Sequence, residues 1–160
     1  ADIPALRRLD DGVDILRERP TGSESHVLIV SVGPFARLAG DVADRLAEQG
    51  LSATIIDPRW VLPVPESVIG LAAAHSLVAV LEDGVKIGGI GSQIRSDLRE
   101  ADSRIGVLEL GVPDEFLPQG TREEILTEVG LDVDTIVSEI LRALPAEVAD
   151  RADQSARRAV

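Results

Sequence analysis

Hydrophobic positions along the chain fall into short dense runs, separated by longer stretches in which they recur every three or four residues. His26 to Val32 is a nearly unbroken β-branched and aliphatic run, the pattern of a strand covered on both faces by helices, and it predicts the central strand of a sheet. After Gly33-Pro34, Leu38, Val42 and Leu46 repeat at helical spacing with Ala39, Ala43 and Ala47 beside them, and Gly50 predicts a left-handed cap. Leu51 to Ile56 predicts a second parallel strand, closed by Asp57-Pro58-Arg59-Trp60. Pro63 and Pro65 interrupt the chain before a short helix from Glu66 to Ala74, with Pro65 in its first turn. Leu77 to Leu81 then predicts a strand, Ser92 to Glu100 a helix with Ile94 and Leu98 inward, and Ile105 to Leu110 a further strand. Gly111 to Gly120 reads as a loop. Thr121 with Glu124 fits a capping box for a helix that ends at Gly130, and Ile136, Val137, Ile140, Leu141 and Leu144 stripe a last helix.

The flanks are less periodic. Residues 1–25 form a lead-in segment in which Gly12 to Arg17 is expected as an edge strand, entering by a hairpin and followed by the turn-forming Pro20-Thr21-Gly22-Ser23. Residues 26–144 form the domain proper, and residues 145–160, with few apolar anchors, are expected to be a flexible, frayed tail. Strands alternating with helices imply an α/β fold: a three-layer, open, mostly parallel sheet of about five strands, one of them an antiparallel edge strand, with helices on both faces and right-handed crossovers.

Composition narrows the function classes. The 160 residues, 44% hydrophobic, suit a single core. A formal net charge of −12 and a pI near 4.5 repel phosphate backbones and anionic lipid, so no nucleic-acid and no membrane partner is expected. There is no cysteine, which removes disulfides and thiolate chemistry. No apolar run reaches membrane length and no leader pattern is present, so a cytoplasmic location is expected. Methionine is absent even at position 1, which suggests a processed chain or one cut from something longer.

The candidate chemistry clusters after the strand at Leu77. Gly84, Gly88, Gly89 and Gly91 suggest a phosphate loop, but there is no G-K-[ST], and Ile94 stands where a dinucleotide fingerprint needs glycine. These glycines are read as serving turn geometry and close contact with another protein surface, with a small anionic effector at the Gly88 to Ser92 turn as the alternative. On that reading Gly89→Val should damage assembly more than folding. Ser92 is assigned to helix capping. Glu82 and Asp83 are adjacent on a strand and point to opposite faces, so they do not form a catalytic pair and are expected in solvation or salt bridges. His75 reads as a helix cap, and His26 merely starts a strand. Arg59 has the geometry to hold a carboxylate or phosphate bidentately, or to bridge to a partner domain. No catalytic, cofactor-binding or metal-binding residue is identified.

Three motifs together resemble a known family. Ile56-Asp57-Pro58-Arg59-Trp60-Val61-Leu62-Pro63 is similar to a strand followed by an N-P-R-[FW]-V-x-P turn; Val78 to Asp83 with Gly88-Gly89-Ile90-Gly91-Ser92 is similar to V-x-V-E-[ED] followed by G-G-x-G-S; and Gly111 to Phe116, Gly120 to Leu126 and Gly130-Leu131-Asp132 are similar to G-x-P-D-x-F, G-[ST]-R-E-E-[IL]-L and G-L-D. Their order over His26 to Leu144 resembles the C-terminal domain of the transketolase family, with wording similar to its 1-deoxy-D-xylulose-5-phosphate synthase branch; transketolase proper and the β chains of 2-oxo acid dehydrogenases are the alternatives. One departure is the replacement of a helix-capping Pro-Leu-Asp by Pro63-Val64-Pro65. The resemblance implies a parent transferase that condenses pyruvate with glyceraldehyde 3-phosphate, losing carbon dioxide, on thiamine diphosphate and a magnesium ion held by other domains, for isoprenoid, thiamine and pyridoxal biosynthesis. It also implies a homodimer, in which this domain is inactive alone and serves packing, dimer contact and regulation through a candidate interface or effector loop of Arg59, Glu82, Gly88, Gly89, Gly91, Ser92 and Asp114.

Overall fold

A computed structural model describes residues 3–20, 26–117 and 119–158. The strands are β1 (Arg7–Arg8), β2 (Val13–Arg17), β3 (Val27–Val32), β4 (Ala53–Pro58), β5 (Leu77–Val85) and β6 (Gly106–Val112). The helices are α1 (Ala36–Glu48), α2 (Glu66–Ala73), α3 (Ile90–Glu100), α4 (Arg122–Glu128), α5 (Val133–Ala143) and α6 (Ala146–Arg158). One six-stranded sheet has the order β1-β2-β4-β3-β5-β6, with β4, β3, β5 and β6 parallel and β1 and β2 antiparallel to their neighbours. The expected α/β architecture and central strand are therefore present.

Alternation along the strands divides the interior into two cores. Val27, Ile29, Ile55, Leu77, Ala79 and Leu81 pack with α1, α5 and the start of α6 on one face. Leu28, Val30, Ile56, Val78 and Val80 pack with α2 and α3 on the other. Each face is continuous with its own helix layer because successive side chains on a strand point to opposite sides.

Three expectations need correction. The sheet has six strands, and Val13–Arg17 is not its edge: β2 sits between β1 and β4, pairing Ile15 with Ile56, while the edge is the two-residue β1. β2 does enter by a hairpin, from β1; the turn expected at Thr21-Gly22-Ser23 lies outside the described residues. β5 runs on to Val85, so Glu82, Asp83 and Gly84 belong to the strand, with its pairing to β6 irregular between Leu81 and Val85. The stretch after Pro145 is not a frayed tail, since α6 is helical over Ala146–Arg158 and buries Val148 and Ala152 against the first core. Two anchors one helical turn apart suffice to seat a helix whose other faces are polar.

Candidate functional site: the carboxyl edge of the sheet

From β3 the chain passes to β4 on one side and then crosses to β5 on the other, so β3 and β5 diverge at their carboxyl ends. This is where an open α/β sheet leaves a crevice. A cleft of about 480 Å³ opens there, lined by Val32, Gly33 and Pro34 after β3 and by residues of β5 and its loop from Glu82 to Gly89. The Gly33 φ of +86° turns the chain away from β3 beside Asp83, where a Cβ would come within 3.2 Å of the Asp83 Cβ.

Glu82 and Asp83 diverge, as strand alternation requires. Glu82 turns to the α2–α3 face, where its Oε2 accepts a hydrogen bond from the Ile90 N–H at 2.8 Å. Asp83 turns to the opposite face and pairs with Arg122 of α4 at 3.0 Å. That guanidinium also stands 5.9 Å over the Phe35 ring. The N-cap of α3 is Gly89, and no side chain of its own caps it. Glu82, reaching from the strand, supplies the acceptor. Ser92 is thus not the cap: it lies inside the helix, with its Oγ donating to Glu109 Oε2 at 3.3 Å.

The glycines answer to these glutamates. A Cβ on Gly89 would overlap the Glu82 carboxylate, and one on Gly91 would lie 2.6 Å from Glu109 Cγ. Gly88 adopts φ +76° in the turn that precedes α3. Close approach is therefore real, and at Gly89 its partner lies within this chain: a Cβ there meets the carboxylate end of the Glu82 side chain, which would have to leave the Ile90 N–H.

Sequence reasoning missed Glu109, the second carboxylate on this face. It pairs with Arg95 at 2.8 Å, while the same Arg95 nitrogen donates to the Val107 carbonyl at 2.8 Å, leaving Glu109 Oε1 with charge compensation but no hydrogen bond. Burial raises the Glu82 pKa above the ordinary carboxylate range; the Ile90 N–H opposes this and the nearby Glu109 charge adds to it. The signal was available in Val107-Leu108-Glu109-Leu110, where alternation sets Glu109 opposite Val80. Recognising it required the strand register.

Arg59, just past β4, lies 3.9 Å from Asp14, whose two oxygens are already bound by Arg8 at 2.6 and 3.0 Å. Arg59 is not brought to the β5–α3 turn. Asp114 is exposed on the segment after β6, and no described hydrogen bond or ion pair holds it. The histidines stand at the amino ends of β3 and β5, on the edge away from the cleft. Ser52 N–H donates to His26 Nδ1 at 3.0 Å. His75 Nδ1 lies 2.8 Å from the Leu71 carbonyl, which can only accept, so Nδ1 carries the proton and Nε2 accepts from the Thr54 hydroxyl at 2.9 Å. Burial lowers the His75 pKa, against the pull of the Leu71 carbonyl, and the ring stays neutral as the C-terminal cap of α2. Among the described residues no group of three or more His, Asp or Glu side chains converges as a metal site.

The cleft does not suit a diphosphate. The helix-start donor that would meet an anion is occupied by Glu82, and Asp83 adds a second carboxylate to the lining. The same geometry disfavours an anionic effector at the Gly88 to Ser92 turn. A neighbouring groove of about 480 Å³ between α1, α4 and α5 is lined by Phe35, Leu38, Leu126 and Leu131, and its Arg122 is engaged by Asp83.

Comparison with known proteins bears on the whole edge. Residues 18–136 match the family model described as "Transketolase, C-terminal domain". The chain is 55% identical over 140 residues to 1-deoxy-D-xylulose-5-phosphate synthase of Clavibacter sepedonicus, covering 88% of this chain and 21% of that protein. It is 52% identical over 141 residues to the synthase of Leifsonia xyli, again over 88% of this chain and 21% of that protein. This chain therefore spans about a fifth of the length of the curated relatives it matches. Among solved structures, a split-gene transketolase in an inactive β4 tetramer superposes with a TM-score of 0.77 at 25% identity, over 90% of this chain and 46% of that one. A transketolase from Campylobacter jejuni superposes with a TM-score of 0.60 at 17% identity, over 87% of this chain and 20% of that one.

Proposed function

Because the chain belongs to the transketolase C-terminal domain family, we propose that it is the C-terminal domain of a 1-deoxy-D-xylulose-5-phosphate synthase, and that it serves assembly rather than chemistry. The observation that carries this reading is the 55% identity to such a synthase over nearly the whole of this chain but only 21% of the relative. In this reading the parent transferase joins pyruvate to glyceraldehyde 3-phosphate with loss of carbon dioxide, and other parts of the polypeptide hold thiamine diphosphate and magnesium. This chain packs against those parts and against a second subunit.

The site's geometry supports an assembly role. Glu82 caps α3, Asp83 pairs with Arg122, and the two histidines are held by hydrogen bonds at the far edge, away from the cleft. Titration of the isolated chain with thiamine diphosphate and magnesium is expected to give no heat of binding. The chain joined to the remaining four-fifths of a synthase polypeptide is expected to consume pyruvate and glyceraldehyde 3-phosphate. Micromolar cofactor binding by the chain alone, or a joined protein that forms a different product, would overturn the assignment.

A further inference from the structure

Six large hydrophobic side chains are exposed among the described residues: Leu6, Trp60, Leu62, Val85, Ile87 and Phe116. Five of them follow the carboxyl ends of parallel strands: Trp60 and Leu62 after β4, Val85 and Ile87 at the end of β5, and Phe116 after β6. Only Leu6, before β1, lies elsewhere. Because β4, β3, β5 and β6 run parallel, their carboxyl ends share one edge, with adjacent strands roughly 5 Å apart. Val85 and Ile87 line the cleft at the β3–β5 divergence, while Trp60, beside Gly12, and Leu62 and Phe116 follow the neighbouring strand ends on the same edge. Scattered exposed apolar residues are ordinary on a protein surface, but a group gathered on one edge beside a concavity marks a surface that another surface covers.

We propose that this rim is a docking surface for the remainder of the same polypeptide, and that the face seated on it is apolar at its centre and basic around it. The inference rests on the assignment above, which places about four-fifths of such a protein outside this chain. Charge selects the occupant. Asp83, Asp114 and Glu115 are exposed at this edge and Glu82 lies beneath it, against Arg59, Lys86 and the Arg122 that pairs with Asp83, in a chain of net charge −12. Two copies of this edge brought together would repel, whereas a basic-rimmed partner face is attracted. Trp60, 73% exposed, and Ile87, 76% exposed, supply anchors of the kind that dominate interface energies. Both contribute little to the fold in their exposed positions, so they can be changed without unfolding the domain.

Lys86 is the sole lysine of the sequence and sits between Val85 and Ile87, so acylation of its amine reports on the rim directly. The chain and the remaining portion of the polypeptide, produced separately, are mixed and labelled with an amine-reactive acetyl ester while amide exchange is followed. Lys86 labelling is expected to fall roughly tenfold or more, with exchange slowed at 59–62, 85–89 and 114–117 and unchanged around His26 and His75 at the other edge. Trp60→Ser with Ile87→Ser is expected to weaken association by a similar factor, with the circular dichroism and melting temperature of the isolated chain kept. Raising the salt concentration is expected to weaken it further. Protection confined to the opposite edge, association untouched by the double variant, or sedimentation of the isolated chain as a rim-mediated dimer would overturn the proposal. Association through this rim in a protein with a different product would sink the synthase assignment alone; the reverse outcome would sink only the rim.

Discussion

Gly89 and Gly91 are glycines because two glutamates of the same chain occupy the space their Cβ atoms would take. The residue scale is thus governed by one arrangement, in which Glu82 leaves β5 to meet the start of α3. An ionised carboxylate suits this place, accepting an otherwise unpaired N–H at the positive end of a helix. Burial and the Glu109 charge oppose it. Glu82→Ala leaves the Ile90 N–H without its partner and is expected to cost about 1–3 kcal/mol in chemical denaturation, whereas Glu82→Gln keeps an acceptor, removes the like charge, and is expected to stay within about 1 kcal/mol of the parent. Equal losses in the two variants would mean that the hydrogen bond to Ile90 is not what Glu82 contributes. The sequence makes Glu82 and Asp83 legible as residues on opposite faces, because that follows from period-2 alternation alone. Which helix each carboxylate meets is not legible, since it depends on how two helix layers are laid on the sheet.

At the scale of elements, α2 shows how a missing local signal is supplied from a distance. Its N-cap is Pro65, which has no side chain to accept from the first turn. Asp11, from the turn between β1 and β2, accepts from the Ser67 N–H and from its Oγ, each at 2.9 Å. Partial burial would raise the Asp11 pKa, but the hydrogen bonds from Ser67 together with those from the backbone of its own turn hold the carboxyl below the ordinary range. The departure from the family's Pro-Leu-Asp wording therefore leaves the helix capped, by a carboxylate far away in sequence. Asp11→Ala is expected to lower stability by about 1 kcal/mol, and to speed amide exchange at Ser67 before the rest of the domain. Exchange at Ser67 unchanged by the substitution would show that α2 does not depend on this cap. By contrast, the capping box of α4 is wholly local and was readable: Thr121 N–H donates to Glu124 Oε2 at 2.8 Å, and Glu124 N–H to Thr121 Oγ1 at 3.3 Å. α6 was not readable, because Val148 and Ala152 are too few to declare a helix until the first core receives them.

For the whole molecule, the titrating groups pull in opposite directions. The Arg8 hydrogen bonds hold Asp14 below its ordinary 3.8, outweighing burial. Burial raises Asp132, but hydrogen bonds from Thr135 and the neighbouring backbone together lower it below the ordinary range. With Asp11, these groups contribute stability above their unfolded values that is lost as pH falls through the lower folded ones. Neutral, buried His75 likewise contributes stability that begins to be lost as pH falls through 6.5. Glu82 and Asp57, both raised chiefly by burial, act the other way, since protonation favours the folded chain between their unfolded and folded values. The melting temperature is therefore expected to change little from pH 7 to 5, where the two sets offset, and to fall steeply below about pH 4. A steep loss already complete at pH 5 would mean that His75 outweighs the raised carboxylates. The amino-acid sequence by itself determined the alternation of strands and helices, the central strand and the family, because these rest on local periodicity and on motifs contiguous in the chain. Only the tertiary structure decided the strand order, the meeting of Glu82 with α3 and Glu109, the capping of α2 by Asp11 and the gathering of Trp60, Ile87 and Phe116 on one edge. Those depend on which distant segments the two cores bring into contact, and contact is a property of the packed chain rather than of any stretch of it.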